Sequence, residues 1–203
     1  CGRAAPRPAP AAREGGPRVL ATVGGGGDGL PLLRAFVGAV PRLPEISARV
    51  VTGPLMAPAE RAELRRLAEG CARIEILDAT PDLPGEMAAA DLVVAMAGYN
   101  TVAELLALER PAVLVPRTWR YGEHARGAEA GEEGEQLFRA QALERAGVAQ
   151  VVHPDDLTAE ALAAKMRAAL GASHPRTGAF DLAGLARVAA ELLTAAGRTR
   201  RVA

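Results

Sequence analysis

The chain has 203 residues, of which 49% are hydrophobic and 24% are charged, the proportions of an ordinary soluble globular protein. Lys and Arg together number 24, as do Asp and Glu, so the net charge is zero and no overall field attracts nucleic acid or an anionic membrane. The two cysteines, Cys1 and Cys71, form neither a disulfide framework nor a metal-ligand spacing, which fits a reducing, cytoplasmic environment.

The first segment, residues 1–16, reads "CGRAAPRPAPAAREGG". Ala, Pro, Arg and Gly dominate it, and such a composition cannot bury a core. We interpret it as a linker, and we expect a further domain to precede it in a longer protein.

From residue 17 onward, apolar strand-like runs alternate with segments of helical periodicity. The predicted strands are "PRVLATV" (17–23), "ARVVTG" (48–53), "ARIEILDA" (72–79), "DLVVAM" (91–96), "PAVLVPR" (111–117) and "VAQVVH" (148–153). The predicted helices are 30–40, 57–70, 84–90, 101–109, 135–147, 157–171 and 180–197. This alternation predicts an α/β fold with a doubly wound, Rossmann-like parallel sheet over residues 17–172, followed by a C-terminal helix and tail at 173–203.

A glycine run, "GGGGDG" (24–29), follows the first strand and matches the dinucleotide pattern G-x-G-x-x-G. Glycines there let backbone N–H groups approach a phosphate, and the helix start adds about half a positive charge. An NAD or FAD site also needs an acidic residue after the second strand, whereas that strand ends "VVTGP". Three interpretations remain: a dinucleotide site, a tight turn that merely requires glycine, and a phosphate or diphosphate site of another kind.

A second polar turn, "AGYNTVAE" (97–104), follows the fourth strand. Thr101 and Glu104 fit the capping box T-x-x-E, which predicts a helix that begins at Thr101 without any ligand. The alternative is a diphosphate bound at the helix start, with the Glu104 carboxylate accepting hydrogen bonds from both ribose hydroxyls.

The motifs in order, "GYNTVAELLALERPAVLVPR" and "EQLFRAQALERAGVAQVV", resemble the C-terminal domain of family 28 glycosyltransferases over about residues 17–170. This family includes an N-acetylglucosaminyltransferase of peptidoglycan-precursor synthesis. Its pattern is Gly-x-x-Thr-x-x-Glu at a helix start, a strand ending in Pro, and an acidic or amide residue plus Gln before the next helix. The matching residues here are Gly98, Thr101, Glu104, Pro116, Glu135 and Gln136. "VGGGGDG" and "HPDDLTAE" together are similar to a branch of predicted glycosyltransferases of the same superfamily.

The resemblance implies the C-terminal half of a GT-B enzyme, which binds a nucleotide-sugar donor, expected to be a UDP-sugar. It implies an inverting transfer in which the missing N-terminal domain binds the acceptor and supplies the catalytic base, so this chain alone is expected to be inactive and to contain no catalytic residue. By position, the resemblance implies contacts with each part of the donor. The diphosphate would be bound by Gly98, Asn100 and Thr101 together with Gly25, Gly26 and Gly27, and the ribose by Glu104. The sugar would be bound by Glu135 and Gln136, and the base by Ala79 and Thr80. The segment between Pro116 and Glu135 is longer than the family pattern.

Other residues are interpreted as structural or solvated. His124 lies in the long loop 117–134, His174 lies in a connector, and His153 precedes turn and cap residues at Asp155, Asp156 and Thr158. No spacing predicts a metal site, and no cofactor is expected. Two alternatives stay open: a nucleotide-sugar hydrolase or epimerase of the same fold, and a nucleotide-binding module without chemistry. Association with the inner face of the membrane is expected only through the absent half.

Overall fold

A computed structural model describes residues 16–117, 133–172 and 180. The strands are β1 (Arg18–Thr22), β2 (Ser47–Val51), β3 (Ile74–Leu77), β4 (Leu92–Ala95), β5 (Ala112–Leu114) and β6 (Ala149–Val151). The α-helices are α1 (Leu30–Ala39), α2 (Pro58–Ala68), α3 (Leu83–Ala89), α4 (Tyr99–Leu108), α5 (Glu133–Arg145) and α6 (Ala159–Leu170). Short 3₁₀ turns lie at Val40–Arg42 and Pro154–Asp156.

The strands form one six-stranded sheet in the order β3-β2-β1-β4-β5-β6, and every pair is parallel. The chain moves outward from β1 to β3 and then returns to place β4 on the other side of β1. The β1–β4 pair is therefore the topological switch point of the sheet. The predicted doubly wound Rossmann-like fold is confirmed.

Helices cover both faces of the sheet because its strands are apolar on both sides. Alternation along β1 shows this, since Val19 and Ala21 belong to a core with α1 and α6 while Leu20 belongs to a core with α3, α4 and α5. All three side chains are fully buried. The two cores hold the carboxyl ends of the strands in place, and these ends carry the loops considered below.

The turn after β6 has the predicted cap chemistry. Thr158 is the N-cap of α6, and its hydroxyl accepts a hydrogen bond from the Ala161 N–H at 3.1 Å. His153 Nδ1 accepts from the Asp155 N–H at 3.3 Å, so this histidine takes part in the turn.

Several predictions concern parts of the chain outside the described residues. These are the linker over 1–16 (except Gly16), the loop with His124, the connector with His174 and the last helix at 180–197 (except Phe180). Within the described part, no helix combines the length and apolar character that a membrane crossing requires.

Candidate functional site

The candidate site lies at the carboxyl edge of the sheet around β1 and β4. In open parallel sheets ligands bind outside the carboxyl ends of the strands at the switch point. The loop after β1 leads to α1 and the turn after β4 leads to α4, and these helices lie on opposite faces of the sheet. The two helix starts therefore flank the crevice between the neighbouring strands.

The helix starts at this edge differ in how their N–H groups are satisfied. At α2 the Glu60 carboxylate accepts from the Ala57 N–H at 3.1 Å, and at α3 the Asp82 carboxylate accepts from the Gly85 N–H at 2.8 Å. The N-caps of α1 and α4 are Gly29 and Gly98, which offer no side-chain acceptor. Neither helix has an acidic residue in its first turn. Among the described residues, no side-chain acceptor or first-turn carboxylate therefore satisfies the positive ends of these two helix dipoles, where an external anion could bind.

The capping box predicted at Thr101 is wrong. Gly98 is the N-cap, with extended backbone angles of φ −67° and ψ 155°, and α4 begins at Tyr99. The Val102 N–H makes the first intrahelical bond, to the Gly98 carbonyl at 3.0 Å. Thr101 is therefore the third helical residue, and its hydroxyl does not cap the helix.

This earlier start places three polar residues on one face of α4. Asn100 and Thr101 precede Glu104 by four and three residues, so the three side chains lie next to one another. Val102, Leu105 and Leu106 of the same helix are buried in the core. Glu104 is half-buried, and within residues 16–117 and 133–172 its carboxylate has no hydrogen-bond or ion-pair partner. In the part of the chain that the structure describes, the Glu104 carboxylate thus lies on the first turns of a helix whose leading N–H groups have no side-chain cap.

The glycine loop after β1 is held by the loop after β2. Gly26 is buried with φ +94°, and its N–H donates to the Val23 carbonyl at 3.3 Å. A Cβ at Gly26 would overlap the Thr52 carbonyl oxygen. Gly25 and Gly27 are exposed, and the space around Gly27 is open. Part of the glycine run is thus required by loop packing, while Gly25 and Gly27 leave bare backbone at the edge of the sheet.

The first turns of α5 reach the turn between β4 and α4. Arg139 donates through Nη1 to the Ala97 carbonyl at 2.5 Å, and its guanidinium lies 3.6 Å from the centre of the Tyr99 ring. The same guanidinium pairs with the Glu135 carboxylate at 2.7 Å. The structure thereby brings one predicted sugar-binding residue, Glu135, next to the predicted diphosphate turn.

A second set of contacts joins α5 to the glycine loop. The Gln136 Oε1 atom accepts from the Arg117 N–H at 2.9 Å, just beyond the end of β5. The Arg117 guanidinium pairs with the Asp28 carboxylate at 3.1 Å. Through these contacts the loop after β1, the end of β5, α5 and the turn after β4 form one connected rim.

The predicted nucleobase contacts lie further from the switch point. Ala79 and Thr80 follow β3, which is separated from β1 by β2, or about 10 Å at the usual strand spacing. Ala79 is exposed, and the Thr80 hydroxyl accepts from the Asp82 N–H at 3.3 Å. Among the described residues, no hydrogen bond or ion pair joins them to the rim around β1 and β4, and their role stays a prediction.

Sequence reasoning missed Asp28, Arg117, Tyr99 and Arg139. The spacing of Glu135 and Arg139 by four residues on one helix was a signal for their ion pair. The contacts of Arg139 with Ala97 and Tyr99 cross about 40 residues of sequence and had no local signal.

Comparison with known proteins places this architecture among glycosyltransferases. The profile of the glycosyltransferase family 28 C-terminal domain matches residues 20–177. The chain is 34% identical over 153 residues to the UDP-N-acetylglucosamine–N-acetylmuramyl-(pentapeptide) pyrophosphoryl-undecaprenol N-acetylglucosamine transferase of Paramagnetospirillum magneticum, covering 74% of the chain and 38% of the relative. It is 33% identical over 184 residues to the enzyme of the same name from Methylorubrum populi, covering 89% of the chain and 47% of the relative.

Solved structures share the fold. Acinetobacter baumannii MurG matches with a TM-score of 0.58 at 23% identity, over 76% of this chain and 41% of that one. The spinosyn rhamnosyltransferase SpnG complexed with thymidine diphosphate matches with a TM-score of 0.58 at 22% identity, over 80% of this chain and 39% of that one. The chain thus spans less than half the length of these relatives.

Proposed function

The chain belongs to glycosyltransferase family 28, as a C-terminal domain of the GT-B fold, and on that premise we propose that it binds a nucleotide-sugar donor, specifically a UDP-sugar, for glycosyl transfer to an acceptor hydroxyl. The two named relatives carry a UDP-sugar in their names, which supports the choice of nucleotide. The transfer itself requires an acceptor-binding domain in addition to the donor site.

The single observation that carries the proposal is the start of α4. Its first N–H groups have no side-chain cap, and Glu104 stands on the same helix without a partner among the described residues. The free donors suit the diphosphate, and an ionised carboxylate can accept from both ribose hydroxyls.

The rest of the rim supports the remaining parts of the donor. Gly25 and Gly27 offer exposed backbone at the opposite helix start. Glu135 and Gln136 lie at the first turns of α5, where their remaining acceptor and donor positions would meet the sugar hydroxyls. In an inverting transfer this side stabilises the departing diphosphate, while a base on the acceptor domain deprotonates the attacking hydroxyl. Membrane contact, where the acceptor is lipid-linked, would come through that acceptor domain.

Calorimetric titration of the chain tests the proposal. We expect UDP and UDP-N-acetylglucosamine to bind, and NAD not to bind. Glu104→Gln should weaken UDP binding by about 1–3 kcal/mol, or about five- to 150-fold, because both hydroxyls lose a charged acceptor. The effect should be smaller with 2′-deoxy-UDP, which has only one of these hydroxyls. Glu45→Gln is the matched control, since Glu45 is exposed just before β2 at the opposite edge of the sheet.

Equal UDP affinity in the wild type and Glu104→Gln would remove Glu104 from the ribose site, and failure of every uridine nucleotide to bind would sink the proposal. The same samples distinguish the proposed donor-binding domain from a hydrolase and from an epimerase. A hydrolase would release free sugar, and an epimerase would convert the UDP-sugar, both without any acceptor. The proposed donor domain leaves the UDP-sugar intact.

A further inference from the structure

We propose that Arg139 is a positioning residue that holds the turn between β4 and α4 in its donor-binding shape and couples that turn to the sugar-binding end of α5. This inference rests on the proposed function, because it assigns Arg139 a role in the same donor site. Arg139 itself is not assigned a contact with the donor.

Arg139 fixes the turn at two points that bracket the N-cap. Its Nη1 atom donates to the carbonyl of Ala97, the residue before Gly98, at 2.5 Å. Its guanidinium carbon Cζ lies over the ring of Tyr99, the residue after Gly98, at 3.6 Å from the ring centre. Gly98 has no side chain, and a Cβ there would meet nothing within 4 Å, so no packing of its own side chain fixes the N-cap. The contacts of Arg139 with Ala97 and Tyr99 therefore help to set the position of the first N–H groups of α4, together with the buried Val102 in the first turn.

The environment of Arg139 explains why this position requires a guanidinium. The side chain is only 15% exposed, while Tyr99 is 69% exposed and has little other packing. A planar guanidinium can stack on a ring and donate in its own plane at the same time, whereas a lysine ammonium cannot do both with the same geometry. The interaction thus fixes an otherwise solvent-exposed aromatic residue.

The charge of Arg139 is balanced on its own helix. The start of α4 already carries about half a positive charge, so a partly buried cation beside it is stabilised by a counter-charge. Glu135 supplies it at 2.7 Å, in the favourable order with the acid four residues before the base. The same contact orients the Glu135 carboxylate, which we assign to the sugar. One side chain thereby connects diphosphate and sugar recognition.

The test compares Arg139→Lys and Arg139→Gln with the wild type, and Arg145→Gln is the matched control. Arg145 is an exposed basic residue in the last turn of the same helix. Amide hydrogen exchange is measured first without ligand. In both Arg139 variants we expect the Val102 amide, whose N–H donates to the Gly98 carbonyl, to exchange about tenfold faster than in the wild type, while residues 48–51 in the sheet keep their protection. Arg145→Gln should change neither region.

Titration with UDP and UDP-N-acetylglucosamine then measures the coupling. Arg139→Gln should weaken both ligands about ten- to a hundredfold, because the turn that meets the diphosphate is loosened. Arg139→Lys should give affinities within about threefold of Arg139→Gln, since the charge alone does not fix the turn. Glu135→Gln should weaken UDP-N-acetylglucosamine more than UDP, because it removes a proposed sugar contact as well as the counter-charge of Arg139.

Two results would overturn the inference. Unchanged exchange of the Val102 amide in Arg139→Gln shows that the turn does not depend on Arg139. Rescue of UDP affinity by Arg139→Lys shows that the residue acts as a charge on the diphosphate. If the wild type binds no nucleotide, the proposed function fails, and the exchange data obtained without ligand still decide whether Arg139 holds the turn.

Discussion

Neighbouring glycines in the loop after β1 are required for different reasons. Gly26 is buried, has a positive φ and lies against the Thr52 carbonyl oxygen of the adjacent loop. Gly53 in that adjacent loop also has a positive φ, and a Cβ there would overlap the Gly24 carbonyl oxygen. Gly27 is exposed with open space around it. The packed glycines set the shape of the loop, so only the exposed ones are available to a ligand.

A pair of alanine substitutions separates these roles. Gly26→Ala should destabilise the chain by more than about 2 kcal/mol, because it adds left-handed strain to a clash with backbone. Gly27→Ala should leave the free energy of unfolding within about 0.5 kcal/mol of the wild type. Urea unfolding at equilibrium measures both. A Gly26→Ala protein as stable as the wild type would show that the two loops can move apart at little cost.

At the scale of helices and strands, the sequence predicted most elements to within about two or three residues, since their apolar periodicity is strong. The start of α4 was misplaced because T-x-x-E at Thr101 satisfies a local rule, whereas the structure uses Gly98. Where a helix begins here depends on how the chain leaves β4, and the Arg139–Ala97 hydrogen bond at that point spans 42 residues. Local patterns could place the candidate residues at one edge, but they could not predict the contacts that join them.

An ion pair between α1 and α2 makes a pH-dependent contribution to the stability of the fold. Arg34 Nε donates to Glu63 Oε1 at 2.8 Å, and this hydrogen bond lowers the pKa of Glu63 below its ordinary value of 4.5 and raises the pKa of Arg34. A carboxyl whose pKa is lower in the folded state stabilises the fold above its unfolded pKa, and this contribution is lost as pH falls through the folded pKa.

Glu63→Gln should therefore be less stable than the wild type at neutral pH, and the difference should close as pH falls below about 4.5. Urea unfolding at a series of pH values measures the difference. Glu69→Gln is the matched control, because Glu69 is exposed at the end of the same helix. A difference that persists unchanged at acid pH would mean that Glu63 acts through packing and not through its charge.

At the scale of the whole molecule, the strand order brings together loops that are distant in sequence. The order β3-β2-β1-β4-β5-β6 places the loop after β1 beside the turn after β4, and the helices that follow them lie on opposite faces. The amino ends of the strands lie at the other edge, where Leu43–Ser47 leads into β2 and Cys71–Ile74 leads into β3. A donor bound at the switch point should touch both faces of one edge and leave the other edge unchanged.

Hydrogen exchange with and without UDP tests this arrangement in a single experiment. At a UDP concentration about 100-fold above Kd, residues 24–28 and 98–101 should both gain protection, by up to about 100-fold where exchange requires release of the ligand. The segments 43–47 and 71–74 serve as controls within the same molecule, and their exchange should not change. Protection at only one of the two loops would place the nucleotide on one face of the sheet and contradict binding across the β1–β4 crevice. Protection at both loops and not at the control segments is the result expected of a ligand that bridges the two helix starts.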